Sequence, residues 1–184
     1  GNARQMPMSE DAVPSPLSPY GVTKLSAEQM CSLYHYNYGL QVVSLRYFTV
    51  YGPRQRPDMA FHRFIRAGLR GEPIEVFGDG SQTRSFCYVS DLVDGIIRMM
   101  ESSENSPINI GNPAEMTIKQ IAETIIEMTG STSRIIYQPL PEDDPKTRQP
   151  DITKARRVLG WEPKVDLDLG LGRTIDYFRS ILPV

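Results

Sequence analysis

The chain has 184 residues, 40% of them hydrophobic, enough to bury one substantial core and little more. A formal net charge of -2 leaves no electrostatic footprint for nucleic acid, and no apolar run approaches the roughly 20 residues that cross a bilayer. Cys31 and Cys87 form no CxxC pair and GNARQMPMSED carries no apolar signal segment, so reduced, packed thiols in a cytoplasmic chain without a metal site are expected.

The chain starts without Met on a glycine that reads as the end of a loop, which suggests a fragment or a processed product. The stretch SPYGVTK, residues 18–24, opens the first predicted helix: Ser18 reads as its N-cap and Pro19 as its first residue. Apolar or aromatic side chains follow at Leu25, Met30, Leu33 and Tyr34, and Gly39 reads as the stop. Tyr20 and Lys24, four residues apart, share one helix face, where an ammonium favours phenolate over phenol. That is a proton-transfer device. In a chain of this composition roughly 0.24 such pairs arise by chance, so spacing alone leaves a surface helix open as the other reading.

QVVSLRYF, 41–48, predicts a buried strand that delivers Thr49 and the Tyr51-Gly52-Pro53 turn to the carboxyl end of a sheet, where ligands of α/β proteins bind. AFHRFIRAGLR, 60–70, has helical spacing at Phe61, Phe64, Ile65 and Leu69; IEVF, 74–77, is a short strand, and GDGSQTR reads as a loop. SDLVDGIIRMM, 90–100, with Ser90 as cap, and TIKQIAETIIEMT, 117–129, with Thr117 as cap, are predicted helices, and INI and RIIYQ are strands either side of the second. The proline-rich, charged segment 139–151 is predicted as a loop, followed by a short helix at 153–159 and a last helix near 169–182. The succession argues α/β. A dinucleotide loop is missing: Gly78-Asp79-Gly80 meets Thr83, and Gly170-Leu171-Gly172 meets Ile175, where GxGxxG needs a third glycine.

SPYGVTK, LRYFTVYGPRQRPDM, FGDGSQTRSFCYVSDLV and PDITKARRVLGWEP, in that order, make the chain resemble the carboxyl-terminal part of an extended short-chain dehydrogenase/reductase. More narrowly it resembles the NAD-dependent nucleotide-sugar epimerases, dehydratases and decarboxylases. The resemblance implies the end of a Rossmann-type NAD-binding domain with the Tyr-x-x-x-Lys helix over 1–58, and mainly the smaller nucleotide-sugar-binding domain over 59–184. It also implies that the glycine-rich loop and the catalytic Ser or Thr lie ahead of Gly1.

By this resemblance Tyr20 is the base that takes the proton of the sugar 4-hydroxyl, a task for which a free phenol with pKa about 10 is poorly suited. Lys24 and the nicotinamide cation favour the phenolate, and Lys24 also hydrogen-bonds the nicotinamide ribose. Tyr47 and Phe48 line the nicotinamide side, and Thr49 touches the sugar or the diphosphate. Arg54, Arg56 and Arg63 stand near the anionic substrate, with Arg63 matching the arginine that meets the sugar carboxylate in UDP-glucuronate epimerases; guanidinium groups suit that recognition. Phe77 forms part of the nucleobase pocket, Arg84 binds phosphate or ribose, and Asp144 and Arg148 belong to the loop over the uridine diphosphate. His62 reads as packed or surface-lying. Asp91 and Trp161 are expected to be structural, Asp91 through the helix macrodipole and Trp161 by anchoring a turn.

The reaction is divided. PDMAFHRF with Thr49 resembles UDP-glucuronate or UDP-glucose 4-epimerases, whereas EDDPKTRQPDITKARRVLGWEPKV resembles UDP-glucuronate decarboxylases. The first stretch lines the sugar site and carries more weight. The resemblance also implies a homodimer through the Tyr20–Tyr38 helix. A chain that exists alone, unable to cradle the NAD pyrophosphate, would instead be a non-catalytic substrate-domain fragment or a dimerisation module.

Overall fold

The computed structural model describes residues 5–139 and 148–182. Along them run α1 (Pro19–Tyr38), β1 (Leu45–Tyr47), β2 (Thr49–Tyr51), α2 (Ala60–Arg70), β3 (Ile74–Phe77), β4 (Thr83–Tyr88) and α3 (Val89–Met100). Then follow β5 (Ile108–Ile110), β6 (Glu115–Thr117), α4 (Ile118–Thr129), β7 (Ile135–Gln138), α5 (Thr153–Leu159) and α6 (Leu167–Ile181).

The end signals read from the sequence work as expected in α1 and α4. Ser18 Oγ accepts from the Gly21 N–H at 3.2 Å, and Gly39 closes α1 at φ 68. Thr117 and Gln120 form a reciprocal capping box at the start of α4. Three boundaries differ. The strand expected over 41–48 is regular only at Leu45–Tyr47, and Thr49, expected at a strand end, instead opens β2. The supposed loop GDGSQTR ends inside β4, and Ser90 is not a cap, because α3 already starts at Val89. β6 was not legible at all: Glu-Met-Thr has no strand pattern and is held by antiparallel pairing with β4.

Three small sheets organise the elements. β1 pairs in parallel with β5, setting Arg46 opposite Asn109; β2 pairs in parallel with β4, setting Thr49 opposite Phe86; β3 pairs in parallel with β7. Two apolar clusters fill the spaces around them. One gathers Phe61, Phe64 and Ile65 of α2, Ile74 and Val76 of β3, Ile121 and Ile125 of α4, and Leu171, Ile175 and Phe178 of α6. The other gathers Ile108 and Ile110 of β5 with Cys87, Met99, Ile152, Leu159 and Trp161. Burial in that second cluster pushes the Cys87 thiol up to about 12, so it stays protonated and acts as a small hydrophobe.

Asp91 joins the second cluster to the chain's closing segment. It is buried, its Oδ2 accepts from the N–H groups of Lys164 and Val165 at 3.0 Å each, and its carbonyl accepts from Trp161 Nε1 at 2.9 Å. Trp161, 1% exposed, anchors that turn as expected. Asp91 does more than face the first turn of α3: it is the acceptor that fixes residues 161–165. At Gly170 of α6 the helix passes so close to β2 and β4 that an added Cβ would overlap Tyr51 Oη and stand 2.9 Å from Tyr88 Cδ2.

Candidate functional site

Pro19 and the Ser18 cap set the first turn of α1, so that Tyr20 and Lys24 stand one turn apart on the same face. The Lys24 ammonium lies over the Tyr20 ring, 5.3 Å from its centroid. Tyr20 is 71% exposed, and α1 as a whole buries none of its residues. On the neighbouring β1, Arg46 grips Glu28 of α1 through Nε to Oε2 at 2.9 Å and Nη2 to Oε1 at 2.6 Å, which brings the end of β1 alongside the helix. Tyr47, 55% exposed, follows Arg46 directly. Phe48 is half-buried, and its N–H donates to Ile110 O at 3.2 Å.

After Thr49 the chain leaves β2 through Gly52, at φ 150, and Arg54, whose φ of 65 is a left-handed conformation that non-glycine residues rarely adopt. Gln55 fixes this loop: its Nε2 donates to Val50 O at 2.9 Å and its Oε1 accepts from the His62 N–H at 3.1 Å. His62 Nδ1 pairs with Gln55 O at 2.9 Å, and its ring meets Phe178 edge-on at 4.5 Å. His62 is therefore a packed brace, and Gln55, which sequence reasoning passed over, is its partner. Arg54 and Arg56 are presented outward on the braced loop; Arg56 forms a fork with Asp58 at 3.1 and 2.8 Å, with both side chains largely in solvent.

Arg63 lies elsewhere, toward β3. Its Nη2 bonds Glu75 Oε2 at 2.7 Å and its guanidinium lies over the Phe77 ring, 5.2 Å from the centroid. Glu75 carried no signal in the sequence beyond its place in a strand. Arg63 and Glu75 line a cleft of about 410 Å³ with His62, Arg66 and Ile136 among the other walls. Phe77 ends β3 before a turn through Gly78 and Gly80, both at positive φ, and Gln82 Nε2 holds Phe77 O at 2.7 Å. Arg84 is buried on β4, with Nη1 donating to Thr83 O at 2.7 Å. One residue on, Ser85 Oγ donates to Arg148 O at 3.0 Å, so β4 carries the start of the segment that leads into α5. Asp144 lies outside the described residues.

Two pairs of expected site residues are thus brought together: Tyr20 with Lys24 on α1, and Arg63 with Phe77 between α2 and β3. Among the described residues no three His, Cys, Asp or Glu side chains are grouped to hold a metal ion, and no helix is long and apolar enough to cross a membrane.

The chain is 46% identical over 167 residues to UDP-glucuronic acid decarboxylase 5 of Arabidopsis thaliana, covering 90% of this chain and 49% of that enzyme. It superposes on the UDP-glucuronic acid 4-epimerase of Bacillus cereus, solved with UDP-glucuronic acid and NAD, with a TM-score of 0.93 and 42% identity, over 98% of this chain and 59% of that one. A UDP-glucose 4-epimerase of Thermotoga maritima, solved with UDP-glucose, gives a TM-score of 0.94 at 39% identity over 97% of this chain and 59% of its own. The chain spans about half the length of the curated relatives it matches and corresponds to the carboxyl-terminal portion of the solved epimerases. Residues 1–111, which carry α1, the braced loop and β1 to β5, match the NAD dependent epimerase/dehydratase family, and it is to this family that the chain belongs.

Proposed function

We propose that the complete protein is an NAD-dependent nucleotide-sugar 4-epimerase that acts on UDP-glucuronate or UDP-glucose through a 4-keto sugar. The observation that supports this most is the Tyr20–Lys24 pair, capped at the start of α1 in a chain so similar to a UDP-glucuronic acid 4-epimerase. Tyr20 Oη takes the proton of the sugar 4-hydroxyl and returns it once the ketone has presented its other face. Lys24 favours the phenolate by its charge and offers a donor to a ribose hydroxyl.

The exposed Tyr20 and Lys24 fit the nicotinamide end of a dinucleotide, with a phenol for the reacting carbon and an ammonium for the ribose, and the exposed Tyr47 is proposed to line the nicotinamide side. NAD, when bound there, supplies the hydride acceptor for C4. Phe48 lines the same side, while Thr49, Arg56, Arg63, Phe77, Arg84, Asp144 and Arg148 are proposed to hold the UDP-sugar. Residues 1–58 are proposed as the end of the NAD-binding domain and 59–184 as mainly the substrate domain.

A second reading is favoured by the 46% identity with a UDP-glucuronic acid decarboxylase. Both reactions begin with oxidation at C4 and part at the ketone, where a β-keto acid loses carbon dioxide and leaves a pentose. Incubating the complete protein with NAD and each sugar, then weighing the product, separates them. An unchanged mass with inverted C4 supports epimerisation, a UDP-pentose supports decarboxylation, and no turnover of either sugar refutes both. We also propose a homodimer through α1, which exposes Val22, Met30, Leu33 and Tyr36, and a cytoplasmic location, in which the two free thiols stay reduced.

A further inference from the structure

Tyr20, Lys24 and Glu28 follow one another at four-residue steps on α1, so all three lie on one helix face. A carboxylate one turn beyond Lys24 is a natural partner for its ammonium. Any pairing there would draw the charge away from Tyr20. In the structure Glu28 is occupied instead: Arg46 takes both of its oxygens in a fork, and its third donor, Nη1, bonds Glu10 O at 2.9 Å. The Arg46 and Glu28 side chains are 26% and 18% exposed, so this fork is better shielded than an ion pair on the open face of α1.

We propose that Arg46 is a positioning residue that holds Glu28 away from Lys24 and so keeps the ammonium's charge for Tyr20. The proposal rests on the reading of Tyr20 and Lys24 as the proton-transfer pair. Arg46 is well suited to a fixed hold, because its own support comes from several segments. It stands opposite Asn109 in the β1–β5 register; the Asn109 N–H donates to Glu10 Oε1 at 2.9 Å, and Asn109 Nδ2 donates to Met8 O at 2.9 Å and Asp151 O at 3.1 Å. The charged groups around the pair are Glu28 on α1, Arg46 on β1, and Glu10 and Asp11 on the segment before α1, while β5 contributes the neutral Asn109. Hydrogen bonding to Glu28, outweighing burial and helped by the charges of Glu28, Glu10 and Asp11, holds the Arg46 guanidinium above its ordinary pKa. Without Arg46, three carboxylates remain, and Lys24, four residues before Glu28 on the same helix face, is a cation that helix spacing puts within its reach.

The test uses the complete protein in three forms: wild type, Arg46→Gln, and Arg46→Gln with Glu28→Gln. In Arg46→Gln the acid limb of kcat/KM against pH is expected to move upward by about 0.5 to 1 unit, a three- to tenfold loss on that limb. Removing the freed carboxylate in the double variant is expected to bring the limb back to the wild-type position. Arg46→Lys, which keeps a charge but not the fork, serves if Arg46→Gln does not fold, with a displacement in the same direction of about twofold. The same ionisation is read without substrate from phenolate absorbance, taking each protein against its Tyr20→Phe counterpart. If the wild type turns over no UDP-sugar, the functional reading fails and this absorbance still decides the role of Arg46. A limb that does not move, whatever the loss of kcat, overturns the proposal, and so does a displaced limb that the Glu28 substitution leaves displaced.

Discussion

Replacing Asp91 by alanine removes the acceptor of two backbone N–H groups, those of Lys164 and Val165, without touching the Trp161 bond, which goes to the Asp91 carbonyl. Each bond to a charged acceptor contributes roughly 1.5 to 3 kcal/mol, and a buried donor left unpaired costs its desolvation as well. Asp91 is 6% exposed, but its bonds to Lys164 and Val165 are only partly buried, so the expected loss is near the lower end, about 3 kcal/mol in all. Asp91→Asn keeps an oxygen in place and gives up only the charge, for about 1 to 2 kcal/mol. A macrodipole role predicts another pattern: about 0.3 to 1 kcal/mol, lost equally in both variants. Equilibrium urea unfolding of wild type and both variants tells the two apart through the midpoint at unchanged slope. A loss under about 1 kcal/mol for Asp91→Ala, or an asparagine variant as damaged as the alanine one, would refute the bracing argument.

Tyr20→Phe in the complete protein is expected to lower turnover at least about a hundredfold while UDP-sugar affinity stays nearly unchanged; steady-state kinetics and calorimetry check the two halves. The 184-residue chain alone, with no GxGxxG loop, is expected to bind NAD poorly, and micromolar binding by calorimetry would overturn this. Gly170→Ala should cost about 1 to 3 kcal/mol in thermal unfolding, because a Cβ there meets Tyr51 and Tyr88. The Asp151 carboxyl is held below its usual range, chiefly by hydrogen bonding from Thr153, so its contribution is present above about pH 4 and lost as pH falls through its folded value; Asp151→Asn should flatten the acid side of a plot of urea midpoint against pH.

Helix existence was legible wherever apolar spacing and an end signal coincided. Ser18 before Pro19, Thr117 as a cap and the glycines after α1 and α4 are local features, and local features are what a sequence displays. The three-residue strands are the opposite case. Thr49–Tyr51 and Glu115–Thr117 are strands because β4 lies between them: Thr-Val-Tyr favours a strand but does not show where it breaks from β1, and Glu-Met-Thr carries no strand signal at all. In the site, the Tyr20–Lys24 pair was visible because four-residue spacing is a property of the helix itself. Gln55 with His62, Arg63 with Glu75 and Arg46 with Glu28 were not, since the partners meet only after the chain has folded back.

The Arg63–Glu75 contact changes what the sequence reading of substrate choice can mean. Arg63 was expected to meet the sugar carboxylate, and in the structure Glu75 already occupies one of its Nη atoms at 2.7 Å while the guanidinium lies over the Phe77 ring. A second carboxylate can still reach Nε and the other Nη, but Glu75 already neutralises part of the guanidinium's charge, so part of the Coulomb gain is offset before the substrate arrives. The Glu75 side chain is 43% exposed, so solvent screens the pair and displacement is not prohibitive. Arg56 stands in a different position: its Asp58 partner is 65% exposed, and the loop that carries it is held by Gln55 and His62 at the exit from β2. If charge on the sugar decides between UDP-glucuronate and UDP-glucose, the less shielded Asp58 pair is the easier one for an incoming carboxylate to open. Arg63 keeps other donors for the sugar carboxylate but has Glu75 against it, so a loss confined to UDP-glucuronate is expected to be larger in Arg56→Ala than in Arg63→Ala, and equal losses on both sugars in both variants would refute a carboxylate role for either arginine.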